Sequence, residues 1–213
     1  VTTSAVAPAV DALGGNWPNY NRTLASDRYS PLATINAKNA SQLKVLCTYD
    51  TRVHEPSETG PLVIDGALIG TTALDIYSID AATCKENWRT NEKGSLGMMP
   101  VNRGAAYLDG RLFRGTLDGN VRAYDFKTGQ RLWETNIVNP KTGALVTSAP
   151  IAWEGMVFIS AALGDYKGVR GRVYALAAVS GKIVCEAVPA PPAPDATDRG
   201  SLGTMPLEEM IKS

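Results

Sequence analysis

The chain has 213 residues, 44% hydrophobic and 20% charged, a globular composition that fits one ordinary domain or a large part of a bigger one. Twenty-one Lys and Arg balance twenty-one Asp and Glu, so there is no basic field to draw nucleic acid or an anionic membrane. No apolar run approaches the roughly 18 residues of a membrane span, and a start at Val1 fits a leader already removed or an arbitrary chain boundary alike.

In chain order, residues 1 to 14 are small and read as an extended lead-in. Ile35 to Asn39 followed by Ala40 to Leu43 reads as a turn or short helical turn, and Leu43 to Thr48 as a strand. Three similar units follow. PLVIDG, AAYLDG and PIAWEG, beginning at Pro61, Ala105 and Pro150, each end on a Gly and run into a β-rich stretch (ALIGTT, RLFRGT, MVFISA). Further on come the nine-residue segments DAATCKENW, DFKTGQRLW and AAVSGKIVC, headed by Asp80, Asp125 and Ala177. A period near 45 residues with four short strands per unit is the signature of a β-propeller blade. The fold class is therefore all-β, a propeller of which about three to four blades are present. Residues 1–187 form the partial propeller and 188–213 a Pro-rich linker or tail, because Pro cannot pair as an inner strand.

The middle unit is the best formed. Asp109-Gly110 and Asp118-Gly119 each stand between apolar residues, the strongest short-range hairpin signal. In the nine-residue segment, Asp at the head can bond the turn backbone, Gly supplies a positive φ, and the closing Trp has the area to wedge between neighbouring blades. The third copy carries Ala177 and Cys185 in place of the Asp and the Trp, so that blade should be less well clamped or its outer strand covered differently.

Cys47, Cys84 and Cys185 show no C-x-x-C spacing and only His54 could join them, so a zinc site is not expected. One disulfide with a thiol left over fits an oxidising compartment, with Cys47 and Cys84 the favoured pair because both are assigned to the same blade. Three buried free thiols are the alternative that the sequence leaves open.

Trp17, Asn21-Arg22, Arg28-Tyr29-Ser30-Pro31-Leu32, Ile35-Asn36 and Asn39, with the three blade motifs, Val101-Asn102-Arg103-Gly104 and Gly168-Val169-Arg170-Gly171, together resemble the quinoprotein alcohol dehydrogenases. These are periplasmic eight-bladed propellers that use pyrroloquinoline quinone and usually calcium. The resemblance covers residues 15 to about 187. It implies that Glu58 contacts the cofactor, that Arg103 binds the quinone oxygens and that Thr147 meets a cofactor carboxylate, with Gly164 and Asp165 beside them. Asp165 is the one nearby carboxylate for calcium or another hard cation. A tricarboxylated planar quinone needs a rigid donor fork and hydroxyl donors, and Arg supplies the fork without risk of deprotonation.

The chain departs from the family pattern in three places. Gly97-Met98-Met99-Pro100 stands where the family often has adjacent cysteines, so a cap over the quinone must be built differently, with Met98 able to pack there. Before Gly168, the sequence Leu163-Gly164-Asp165-Tyr166-Lys167 fits the family's metal-binding carboxylate only with a loop one residue longer. An eight-bladed ring also needs about 400 residues or more, and the family's catalytic aspartate and a further calcium ligand belong to later blades. The resemblance thus implies the N-terminal part of a periplasmic or secreted dehydrogenase that oxidises a small-molecule alcohol or sugar, with a second polypeptide or an oligomer completing the ring. The alternative is a truncated, non-catalytic propeller module serving in binding or assembly.

Overall fold

The computed structural model describes residues 13–92, 100–138, 144–162 and 171–188. They form three four-stranded antiparallel meanders, each with its strands in chain order. The first sheet contains β1 (Leu62–Ile64), β2 (Ala67–Thr71), β3 (Asp75–Asp80) and β4 (Glu86–Asn91). The second contains β5 (Ala106–Leu108), β6 (Arg111–Gly115), β7 (Asn120–Asp125) and β8 (Arg131–Asn136). The third contains β9 (Ile151–Trp153), β10 (Met156–Ser160), β11 (Val173–Ala177) and β12 (Ile183–Ala187). The expected all-β propeller arc is thereby present.

The same local chemistry builds each sheet. The first hairpins turn on Asp65-Gly66, Asp109-Gly110 and Glu154-Gly155, with both residues of every pair at positive φ. Such a turn matches the twist of the flanking strands. A register shift recurs at one place between the third and fourth strands, after Ser78, Ala123 and Ala175. At the heads of the nine-residue turns, Asp80 and Asp125 accept bonds from the Thr83 and Thr128 hydroxyls and from backbone amides.

Side chains alternate faces along a strand, which gives the second sheet two buried sides. Leu112 and Tyr124 pack toward the first sheet with Leu62, Ile69 and Ile76. Phe113 and Ala123 pack toward the third with Ala152 and Val157. Trp88 and Trp133 join sheet to sheet. Trp88 Nε1 donates to Phe126 O at 3.0 Å and Thr90 Oγ1 to Gly129 O at 2.7 Å. Trp133 Nε1 and Thr135 Oγ1 repeat this on Ala178 O (2.9 Å) and Gly181 O (2.7 Å). Gly129 has φ +70°, and a Cβ there would fall 2.4 Å from the Trp88 ring. Gly129→Ala should therefore lower stability by about 2 kcal/mol through left-handed strain and lost indole packing, read as a fall in the urea midpoint at unchanged m-value.

Two expectations need correction. Leu43 to Thr48 joins no ladder among the described residues. It leaves the 3-10 turn Ala40–Gln42 in extended backbone, with Val45 and Leu46 each 84% exposed, because no described strand lies beside it. The disulfide is indeed Cys47–Cys84, leaving Cys185 free. It does not lie within one sheet, however: it ties this outlying segment to the β3–β4 turn.

Candidate cofactor site

Each sheet is entered through a short inner connection, and in all three a polar side chain ties that connection to the end of the second strand. Thr59 Oγ1 lies 2.9 Å from Thr71 Oγ1, Asn102 Nδ2 donates to Gly115 O at 2.9 Å, and Ser148 Oγ donates to Ser160 O at 3.0 Å. The neighbours of these three residues in sequence are Glu58, Arg103 and Thr147. Their backbones run side by side: Gly60 N donates to Arg103 O and Arg103 N to Thr147 O, both at 3.0 Å. Gly60 and Gly104 form a parallel bridge. Gly104 has φ +125°, and a Cβ on it would lie 2.8 Å from Gly60 O, so only glycine permits this approach.

The consequence is a cluster that spans all three sheets. The Arg103 guanidinium lies 3.1 Å from Glu58 Oε2 and donates to Thr147 Oγ1 at 2.9 Å. The Arg103 and Glu58 side chains are 44% and 42% exposed, whereas Thr147 is buried. The ion pair is therefore partly hydrated and contributes little to stability, while its donors stay open to a ligand. Because the Thr147 oxygen accepts from Arg103, its own proton is free to be donated elsewhere.

A buried ionic network that the motifs did not indicate meets the supports of this cluster at Gly115 O, which accepts from both Asn102 and Arg114. Arg114 is fully buried and donates to the backbone carbonyls of Thr72, Ala73, Asp75 and Gly115. Glu92 accepts from Tyr124 and lies 3.5 Å from Arg122, which also meets Asp118 and Glu134. Burial, reinforced by the bond to Glu92, pushes the Tyr124 hydroxyl far above its ordinary value. Burial alone would raise the Asp75 carboxyl, but Arg89, Asn91 and Thr72 outweigh it and hold the group below its usual range. Charged residues inside otherwise apolar strands (RLFRG, NVRAY) were the available signal. They fall in strands buried on both faces, where a cation needs acceptors.

The residues 17–201 match the family model for the pyrroloquinoline quinone "Glucose/ethanol/alcohol dehydrogenase, beta-propeller domain". The chain belongs to this family. It is 37% identical over 184 residues to the dehydrogenase subunit of a quinone alcohol dehydrogenase from Gluconacetobacter polyoxogenes, matching 79% of this chain and 24% of that protein. The quinohemoprotein alcohol dehydrogenase ADH-IIG of Pseudomonas putida is 35% identical, with 82% of this chain and 25% of that protein matched. Its solved structure superposes with a TM-score of 0.78 at 32% identity, covering 88% of this chain and 28% of that one. A europium-containing methanol dehydrogenase superposes with a TM-score of 0.76 at 31% identity, covering 82% of this chain and 32% of its own. The chain thus spans about a quarter of the length of the curated relatives it matches.

Of the family's expected site residues, the fold brings Glu58, Arg103 and Thr147 together. Gly164 and Asp165 lie outside the described residues, as do Met98 and most of the Gly168-Val169-Arg170-Gly171 motif. Among the described residues no group of three or more His, Cys, Asp or Glu is placed to hold a metal ion, and no helix is long and apolar enough to cross a membrane. The resemblance gave roles to the side chains of the cluster but none to the side chains that position them, although Asn102 stands within one of its motifs. Thr59, Asn102 and Ser148 stand two or three residues ahead of Pro61, Ala105 and Pro150, and that repeated offset is the signal that would have found them.

Proposed function

We propose that this chain supplies three consecutive blades of a pyrroloquinoline-quinone-dependent alcohol dehydrogenase and that Glu58, Arg103 and Thr147 form one wall of its cofactor site. The observation that carries the reading is the convergence of a half-exposed guanidinium, a carboxylate and a buried hydroxyl from three successive sheets. This donor set fits a planar, anionic quinone. Arg103 offers N–H groups in a fixed fork to quinone and carboxylate oxygens. Thr147 is free to donate its proton to a carboxylate, and Glu58 keeps the guanidinium aimed by holding its other arm. When bound, the cofactor supplies the hydride acceptor for alcohol oxidation.

Calcium or another hard cation accompanies the cofactor in this reading, with Asp165 as the ligand this chain provides. The catalytic carboxylate comes from further blades, as does most of the substrate pocket, so a second polypeptide, an oligomer or further chain completes the ring. The location is periplasmic or secreted, in keeping with the disulfide. The test is titration of the complete assembly with pyrroloquinoline quinone and calcium, followed by absorbance and thermal shift. The expected result is a saturable spectral change with a rise in Tm. Absence of both would overturn the dehydrogenase reading in favour of a non-catalytic module.

A further inference from the structure

The outer strands β4 and β8 share one device. Each plants a Trp and, two residues later, a Thr on the nine-residue turn of the following sheet. The turn answers with a glycine at φ +70°, at Gly129 and Gly181, where a Cβ would fall 2.4 and 2.6 Å from the indole. In the first sheet's own turn, Cys84 occupies the place of that glycine, at φ +57°, and is bonded to Cys47.

The segment carrying Cys47 lies where a preceding sheet's outer strand would lie. Alternation puts Tyr77 and Arg89 on the face opposite Trp88 and Thr90, away from the second sheet. Tyr49 packs on Tyr77 there, with centroids 5.0 Å apart, and Arg89 donates to Thr51 O at 2.8 Å. Tyr49, two residues after Cys47, also bonds Glu86, just as Thr90 and Thr135 follow Trp88 and Trp133 by two. Cys47 Sγ lies 3.7 Å from Ala82 O, one position further along the turn than Phe126 O and Ala178 O, which receive the indole N–H groups in the next two turns.

We propose that the Cys47–Cys84 disulfide is a covalent form of the blade-to-blade clamp, with Cys47 standing in for the tryptophan and Cys84 for the glycine. The grip on the segment Leu43 to Thr51 is then redox-dependent, whereas the other two clamps are not. An indole at position 47 would need the space that a Cβ at position 84 fills, so the two positions work only as a matched pair. A dithiol reductant opens the clamp by exchange: the S–S bond takes two electrons and two protons to give two thiols, and the reductant leaves as its own disulfide. No indole then remains to hold the turn.

Trypsin digestion of the full chain tests this, because the exposed Lys44 and Arg52 flank the Cys47 region. In the oxidised chain, cleavage at both sites should be at least about tenfold slower than with dithiothreitol or in Cys47→Ser, in proportion to the closed population. Cys47→Trp combined with Cys84→Gly should restore slow cleavage with and without reductant. Cys47→Trp alone should not. Cuts at the buried Arg114 and Arg122 report global unfolding and should stay slow throughout. The proposal is overturned if the double replacement is cut as fast as Cys47→Ser, if Cys47→Trp alone protects equally, if the oxidised chain gains nothing, or if Arg114 and Arg122 open in step with Lys44.

Discussion

Replacing Arg103 by Ala in the complete assembly should weaken pyrroloquinoline quinone binding by about ten- to a hundred-fold or more, the equivalent of the roughly 1.5–3 kcal/mol of a hydrogen bond to a charged group. The change removes a side chain that touches both Glu58 and Thr147 and leaves the Glu58 carboxylate facing an anionic ligand without the Arg103 counter-charge. Arg103→Lys should recover only part of the loss, because an ammonium keeps the charge but not the planar fork. Stability should hardly move, since the pair is more than two-fifths exposed and such pairs contribute about 0–1 kcal/mol. Equilibrium titration of each variant with the quinone, alongside urea unfolding, separates the two quantities. Unchanged affinity in the Ala variant would remove Arg103 from the site.

Glu92→Ala should do the opposite, lowering stability by about 3–5 kcal/mol. Glu92 is nearly fully buried, accepts from Tyr124 and faces Arg122, and its amide donates to Leu74 O at 2.8 Å. Without the carboxylate, a buried phenol loses its partner and the fully buried Arg114 loses a nearby anion whose charge favours its cationic form. Arg122 keeps Asp118 and Glu134, so Glu92→Gln, which preserves an acceptor for Tyr124, should cost less than the Ala variant. Urea denaturation of the three proteins gives the ranking. An Ala variant within about 1 kcal/mol of the parent would show that the network can relax, as solvated pairs do.

The blade pattern was legible in the sequence because its devices are local. An Asp-Gly pair selects a hairpin turn, an Asp heads a turn whose amides it can reach, and a Trp closes the unit; all three appear as expected in the second sheet. The strand expected at Leu43 to Thr48 failed because a strand is a statement about a neighbour. Its apolar residues were present, but no described strand pairs with it. The disulfide was readable as a pair but not as a clamp. Its meaning depends on Cys84 holding the place that Gly129 and Gly181 hold in the next sheets, and this emerges only when the turns are compared in space.

The all-β class and the fourfold strand rhythm were readable from the sequence, and the resemblance carried by its motifs singled out Glu58, Arg103 and Thr147 as candidates. The class and the rhythm depend on residue types at short or repeated spacing, which the chain displays directly; the three side chains were implied by the resemblance and not by spacing. The tertiary structure alone decided that these three side chains meet across three sheets, that Gly104 permits the approach and that Thr59, Asn102 and Ser148 hold the connections in place. It also revealed the ionic network around Arg114 and Glu92. These features depend on contacts between residues some 12 to 45 positions apart, set by how strands pair and how one twisted sheet packs on the next; a repeated offset can mark a residue in the chain but not the partner it meets.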